Sequence, residues 1–197
     1  MPDEILRTFI AIELDEPLRL ALGRVQARFK RQIAPRDVKW VAVENLHLTL
    51  KFLGDTPAGR LPEIEAALQT ACAGHAPFEI QFEGRGCFPN FRRPRVIWVA
   101  VRDRGQLLAR LQADIERTVA PLGWPTEERG FSPHLTLGRV ARGVNRSAEE
   151  AIGQAIEKSV VEQIGVQRVT AVSLMQSDLQ PTGPIYTRLL EVPLAGA

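Results

Sequence analysis

Two tetrapeptides in this chain are identical: His47-Leu48-Thr49-Leu50 and His134-Leu135-Thr136-Leu137. Between them they hold two of the three histidines among 197 residues. Side chains on a β-strand alternate between faces. His47 and Thr49 therefore share one face while Leu48 and Leu50 anchor the other, and His134 and Thr136 repeat the arrangement. Each copy offers one titratable ring and one hydroxyl donor on a rigid element. Cleaving a phosphodiester without a metal requires a base for the incoming oxygen, an acid for the leaving oxygen and donors for the phosphoryl charge. An imidazole, with an ordinary pKa of about 6.5, can act as acid or base near neutrality. Hydroxyls fixed in advance can donate to the non-bridging oxygens. The two histidines are thus the candidate catalytic pair, and Thr49 and Thr136 the candidate phosphate contacts.

Competing readings explain less. Zinc takes three or four protein ligands, and neither motif has a Cys or Asp in ligand spacing, so no metal is expected. Histidines buried as core residues would need polar partners and would leave the repeated threonines unexplained. Strand propensity alone accounts for the threonines but not for their placement beside a histidine. His75, in Gly74-His75-Ala76-Pro77, has no threonine partner and reads as a surface loop residue. Among the 25 basic residues only Lys30, Lys39, Lys51 and Lys158 are lysines. The planar fork of arginine suits phosphate. Arg92, Arg93 and Arg95 form one cluster and Arg139, Arg142 and Arg146 another, and one or two of these six are expected to touch substrate. Phe9, Trp40, Phe52, Trp98 and Trp124 read as core or lobe packing, with Phe9 or Tyr186 as the aromatic that could stack on a base.

The motif copies lie 87 residues apart, and the same shift aligns the elements around them. The strand-like run Thr8–Leu14 falls on Arg95–Val101. Each is followed by apolar residues at helical spacing, over Pro17 to Gln32 and Gly105 to Ala120. After each motif comes another amphipathic stretch, Arg60–Cys72 and Ser147–Val161. Strand-like runs Phe78–Phe82 and Val166–Leu174 then close each half, and Ile185–Val192 alternates as a final strand. The chain reads as two divergent copies of one α+β unit, approximate halves 5–86 and 92–192, packed as two lobes of a single domain over 1–197. Residues 86–101 would close one half and open the other, so strands are expected to cross between lobes, and neither half is expected to fold alone.

Composition fits a globular protein: 45% hydrophobic, 24% charged, net charge +2. So small a net charge excludes an argument from global electrostatics. No apolar run approaches the ~18 residues of a membrane span. The acidic start Met1-Pro2-Asp3-Glu4 leads straight into a strand, which argues against a signal peptide. Cys72 and Cys87 lack metal spacing and are too few for a disulfide framework, which fits reduced thiols in a cytoplasmic protein.

Several stretches resemble the two-histidine (2H) phosphoesterases, and within them the bacterial and archaeal RNA 2′,3′-cyclic phosphodiesterases, also called 2′-5′ RNA ligase-like proteins. They are Arg7–Ile12, Val38–Val41, Glu44–Gly54, Gly86–Pro89, Pro94–Trp98 and Phe131–Arg139. The resemblance implies an α+β, bilobal fold of pseudo-twofold symmetry, with two antiparallel sheets lining a central cleft and helices outside. It implies hydrolysis of RNA 2′,3′-cyclic phosphate ends to 2′-phosphomonoesters without a metal. A monomer with no cofactor, no obligate protein partner and no membrane association is expected. His47 would donate the proton to the leaving oxygen and His134 would activate water. Thr49 and Thr136 would hold the non-bridging oxygens, with Arg139 as a further phosphate contact. The alternatives are 2′-5′ RNA ligation, 2′-5′ phosphodiester cleavage, or an RNA-end binding module without catalysis.

Overall fold

Among the described residues the apolar periodicities become four α-helices, two of them capped by the side chain that precedes them. Asp15 precedes α1 (Glu16–Lys30), and its Oδ1 accepts from the Leu18 amide at 2.8 Å. Leu18, Leu22, Val25 and Phe29 of this helix are buried, as the spacing predicts. Asn145 caps α4 (Arg146–Lys158) in the same way through Ala148. These side chains satisfy amides that have no partner within the helix. α2 covers Leu61–Cys72 and α3 Leu107–Val119. The computed structural model describes residues 4–181 and 183–196. The expected entry at Met1–Asp3 and the centre of the turn expected at 181–184, Thr182, lie outside the described residues.

Nine strands run through the described residues: β1 (Ile5–Glu13), β2 (Val38–Trp40), β3 (His47–Pro57), β4 (Phe78–Phe88), β5 (Val96–Asp103), β6 (His134–Val140), β7 (Gln163–Val169), β8 (Ala171–Gln180) and β9 (Gly183–Pro193). They form two sheets of antiparallel pairs. The first has the order β3-β1-β8-β9 and the second β2-β6-β5-β4-β7. Apart from the added edge strand β2, the two orders correspond, with a motif strand outermost and its partner beside it. This is the duplication expected from the 87-residue shift.

Each sheet draws on both halves of the chain. β4 of the first half pairs with β5 and β7, while β8 and β9 of the second half complete the sheet of β1 and β3. The expected run Val166–Leu174 is in fact two strands meeting at Thr170. β7 pairs with β4 in the second sheet, and β8 pairs with β1 in the first. Helices α2 and α3 cover the first sheet, through β9 and β3; α1 and α4 cover the second, through β7 and β4. The core lies between helices and sheets and contains Leu48, Leu50, Leu135 and Leu137, the alternate residues of both motifs. Their opposite faces are left to line a cleft.

Candidate active site

Over their first seven residues the motif strands share one burial pattern. His, Leu, Thr and Leu alternate half-buried and buried, and the next three positions are buried, exposed and buried. The exposed position is Phe52 in one strand and Arg139 in the other. Across the ladder His47 faces Glu13 of β1, and His134 faces Ala100 of β5. His47, Thr49, His134, Thr136, Arg139 and Tyr186 all line one cleft of about 970 Å³ between the sheets. The five candidate site residues thus converge, although they come from strands in different sheets.

The two rings are held alike. His47 Nδ1 lies 2.8 Å from the Asn45 carbonyl oxygen, and His134 Nδ1 lies 2.7 Å from the Ser132 carbonyl oxygen, each two residues upstream. A carbonyl only accepts, so Nδ1 carries the hydrogen in both rings. That leaves each Nε2 as the atom available to give or take a proton. Asn45 is itself fixed, because its Nδ2 donates to the Pro184 carbonyl at 2.8 Å.

Aromatic rings surround both histidines. Phe9 and Tyr186 have centroids 4.7 and 5.1 Å from His47, and Phe88 lies 4.8 Å from His134. Burial among them lowers the pKa of His47, opposed by the hydrogen bond to Asn45 and then by the negative charge of Glu13. Burial likewise raises the pKa of Tyr186, opposed by the nearby charges of Arg139 and Arg7. Among the described residues no group of three or more His, Cys, Asp or Glu side chains is arranged to hold a metal ion.

Several residues lie elsewhere than expected. Phe52, read as packing, is 61% exposed and lines the cleft. The signal is its repeat position, which matches Arg139. Phe9 is only 3% exposed and lies beneath His47, so Tyr186 is the better placed of the two to meet a ligand. His75 is not a surface residue: it is buried, and its Nε2 lies 2.8 Å from Asp114 Oδ2. Of the six clustered arginines, Arg95 and Arg139 reach the cleft, while Arg92, Arg93 and Arg146 line a separate groove. Lys51 carries a role that nothing in its local sequence signals. Its Nζ lies 2.5 Å from Glu116 Oε2 on α3 and 2.9 Å from the Pro125 carbonyl, and both side chains of the ion pair are buried. The pair ties the first motif strand to the segment leading to His134.

A duplicated two-sheet fold with paired His-x-Thr strands in one cleft is the architecture of a phosphoesterase with two histidines. The model of the family described as LigT-like phosphoesterase matches residues 12–98 and again 99–186, copies that begin 87 residues apart as the motifs do. The chain belongs to this family. An RNA 2′,3′-cyclic phosphodiesterase of Methanothermobacter thermautotrophicus is 40% identical over 182 residues, covering 92% of this chain and 95% of the relative. One from Archaeoglobus fulgidus is 36% identical, covering 93% and 98%. A crystal structure from Thermus thermophilus superposes with a TM-score of 0.79 at 30% identity, covering 97% of this chain and 99% of that one. E. coli LigT complexed with 3′-AMP gives 0.73 at 26% identity, with coverage of 97% and 99%.

Proposed function

We propose that the protein hydrolyses 2′,3′-cyclic phosphate ends of RNA to 2′-phosphomonoesters, without a metal, using His47 and His134 as an acid–base pair. The observation that carries this reading is the repeated, carbonyl-anchored His-x-Thr arrangement, once from each sheet, around one cleft. The names of the relatives support the substrate class.

In this mechanism His134 Nε2 takes a proton from water as the water oxygen bonds to phosphorus. The bond from phosphorus to the 3′-oxygen breaks, and that oxygen takes a proton from His47 Nε2. The products are a 2′-phosphate and a free 3′-hydroxyl. Proton exchange with solvent then resets both rings. A lowered pKa makes protonated His47 the stronger acid, which suits a donor to an alkoxide leaving group. The Thr49 and Thr136 hydroxyls donate to the non-bridging oxygens, where charge builds up in the transition state. Arg139 adds positive charge at the same mouth, and Tyr186 and Phe52 offer rings to the nucleoside.

A nucleoside 2′,3′-cyclic phosphate incubated with the protein in EDTA is expected to yield the 2′-phosphate, identified by ³¹P NMR. His47→Ala and His134→Ala are each expected to cut turnover by about 10²- to 10⁴-fold while retaining the native circular dichroism spectrum. Full activity in either variant, or dependence on added metal, would overturn the mechanism. Binding of cyclic ends without any product would instead identify a non-catalytic RNA-end module.

A further inference from the structure

A second concavity, of about 990 Å³, lies beside the cleft, lined by Asn90, Phe91, Arg92 and Arg93 of the β4–β5 loop and by Arg146 and other residues along one stripe of α4. The loop joins the two spaces. Phe88, Pro89 and Arg95 at its ends line the cleft, while the four residues Asn90–Arg93 line the groove.

The loop is held in place. Asn90 Oδ1 accepts from the amides of Arg92 and Arg93, at 3.0 and 3.1 Å. The Phe91 carbonyl sits so close to Gly153 of α4 that a β-carbon there would lie 1.6 Å from the oxygen, and only glycine admits that approach. Arg95 reaches α4 as well, 2.7 Å from Glu149. Arg92 and Arg93 form no ion pair among the described residues and are exposed. Two carboxylates, Glu150 and Glu157, also line the groove. Glu150 is taken by Arg146 at 3.0 Å. Glu157 lies about 16 Å from Arg146 along the helix, at 1.5 Å per residue.

We propose that this groove carries the RNA strand on the 5′ side of the reacting end, so that the preferred substrate is an oligonucleotide and not a mononucleotide. This rests on the cyclic phosphodiesterase reading of the cleft. A terminal nucleotide whose 2′,3′ oxygens lie at the histidines continues into the chain through its 5′ phosphate, and the unpaired cations next to the cleft on this loop are Arg92 and Arg93. Arginines on a backbone held in place, beside the half-buried ring of Phe91, combine phosphate attraction with a stacking face, the usual elements of single-strand binding. An acidic protein segment would find the same charges, but the loop that lines both groove and cleft favours the substrate's own strand.

The test compares Arg92→Ala/Arg93→Ala with the parent protein on adenosine 2′,3′-cyclic phosphate and on an oligoribonucleotide ending in a 2′,3′-cyclic phosphate. Two lost phosphate contacts should raise KM for the oligonucleotide about tenfold and flatten the slope of log KM against log salt by about 1.4, at about 0.7 per phosphate. Arg92→Glu/Arg93→Glu should raise KM further. Mononucleotide turnover should stay unchanged throughout, which separates this inference from the assignment of the cleft. Fluorescence anisotropy with the 2′-phosphate oligonucleotide product should show the same weakening without any turnover. An unchanged oligonucleotide KM, or an equal rise for the mononucleotide, would overturn the proposal.

Discussion

The two motif strands are alike in backbone and unlike in surroundings. His47 draws its anchor from Asn45, itself tied to the Pro184 carbonyl at the start of β9. His134 draws its anchor from Ser132, an exposed residue in a segment, 124–133, without helix or strand. Opposite His47 stands Glu13, whose Oε1 accepts from Ser173 Oγ at 2.7 Å and lies 3.3 Å from Arg188. Opposite His134 stands Ala100. Duplication therefore copied what holds each ring, the strand and the upstream carbonyl, while divergence changed what each ring feels. That is how a near-symmetric cleft can assign unequal tasks to identical residues.

The comparison is broken most severely by removing one imidazole at a time. Each alanine variant should lose about 10²- to 10⁴-fold in kcat/KM, the usual worth of a positioned general acid or base. The remnants should differ in pH dependence. With His47 as the acid, the parent rate falls as pH rises through the lowered pKa of that ring, so this limb of kcat/KM lies below pH 6.5. It should survive in His134→Ala and vanish in His47→Ala. A limb lost from the wrong variant would reverse the roles.

A large effect on stability is expected at the buried ion pair. Glu116→Ala leaves the Lys51 ammonium buried without its carboxylate, and urea unfolding should show a loss of about 3–5 kcal/mol. Glu116 Oε2 also accepts from the Glu127 amide at 3.4 Å, so kcat should fall with the loosened approach to His134. Combining Lys51→Met with Glu116→Leu should recover most of the stability, because apolar residues of similar volume replace such pairs at little cost.

Thr49→Val and Thr136→Val keep strand propensity and remove one charge-assisted hydrogen bond each. A loss of about 10- to 100-fold in kcat/KM is expected, from about 1.5–3 kcal/mol per bond. Equal losses would mean that the phosphoryl oxygens are shared evenly between lobes.

The smallest effect sharpens the comparison furthest. Glu13→Gln removes a charge that raises the pKa of His47, so the limb assigned to His47 should move to still lower pH. The linked effect on stability has a definite sign. The native pKa of His47 lies below its ordinary value, so the unfolded chain takes up this proton first as pH falls. The contribution is full above 6.5 and is lost between 6.5 and the lowered native value. Thermal melts of His47→Gln should lack that component.

Much of this is legible in the sequence because the chemistry repeats in a fixed frame. An 87-residue shift carries His47 onto His134 and also locates the helices, whose apolar spacing depends only on local sequence. Partners across the ladder are another matter. Nothing within residues 163–180 announces that the chain leaves one sheet at Thr170 and joins the other, since the buried residues flanking the crossing, Val169 and Val172, are alike. His75 misleads because its partner, Asp114, is 39 residues away on α3. Phe52 misleads when hydrophobicity is weighed ahead of position, although the repeat sets it against an arginine. The Lys51–Glu116 pair spans 65 residues, and only folding makes a lysine and a glutamate interior neighbours.

The passage of β4 into one sheet and of β8 and β9 into the other bears on how the cleft can move. Two bodies joined by a hinge open by rotating about a loop, but here each wall is woven from both ends of the polypeptide. Prising the walls apart would pull directly on the crossing at Thr170, where β7 of one wall runs into β8 of the other. The weaving thereby resists changes in the spacing of the imidazoles, and it favours substrates that fit the gap as it stands.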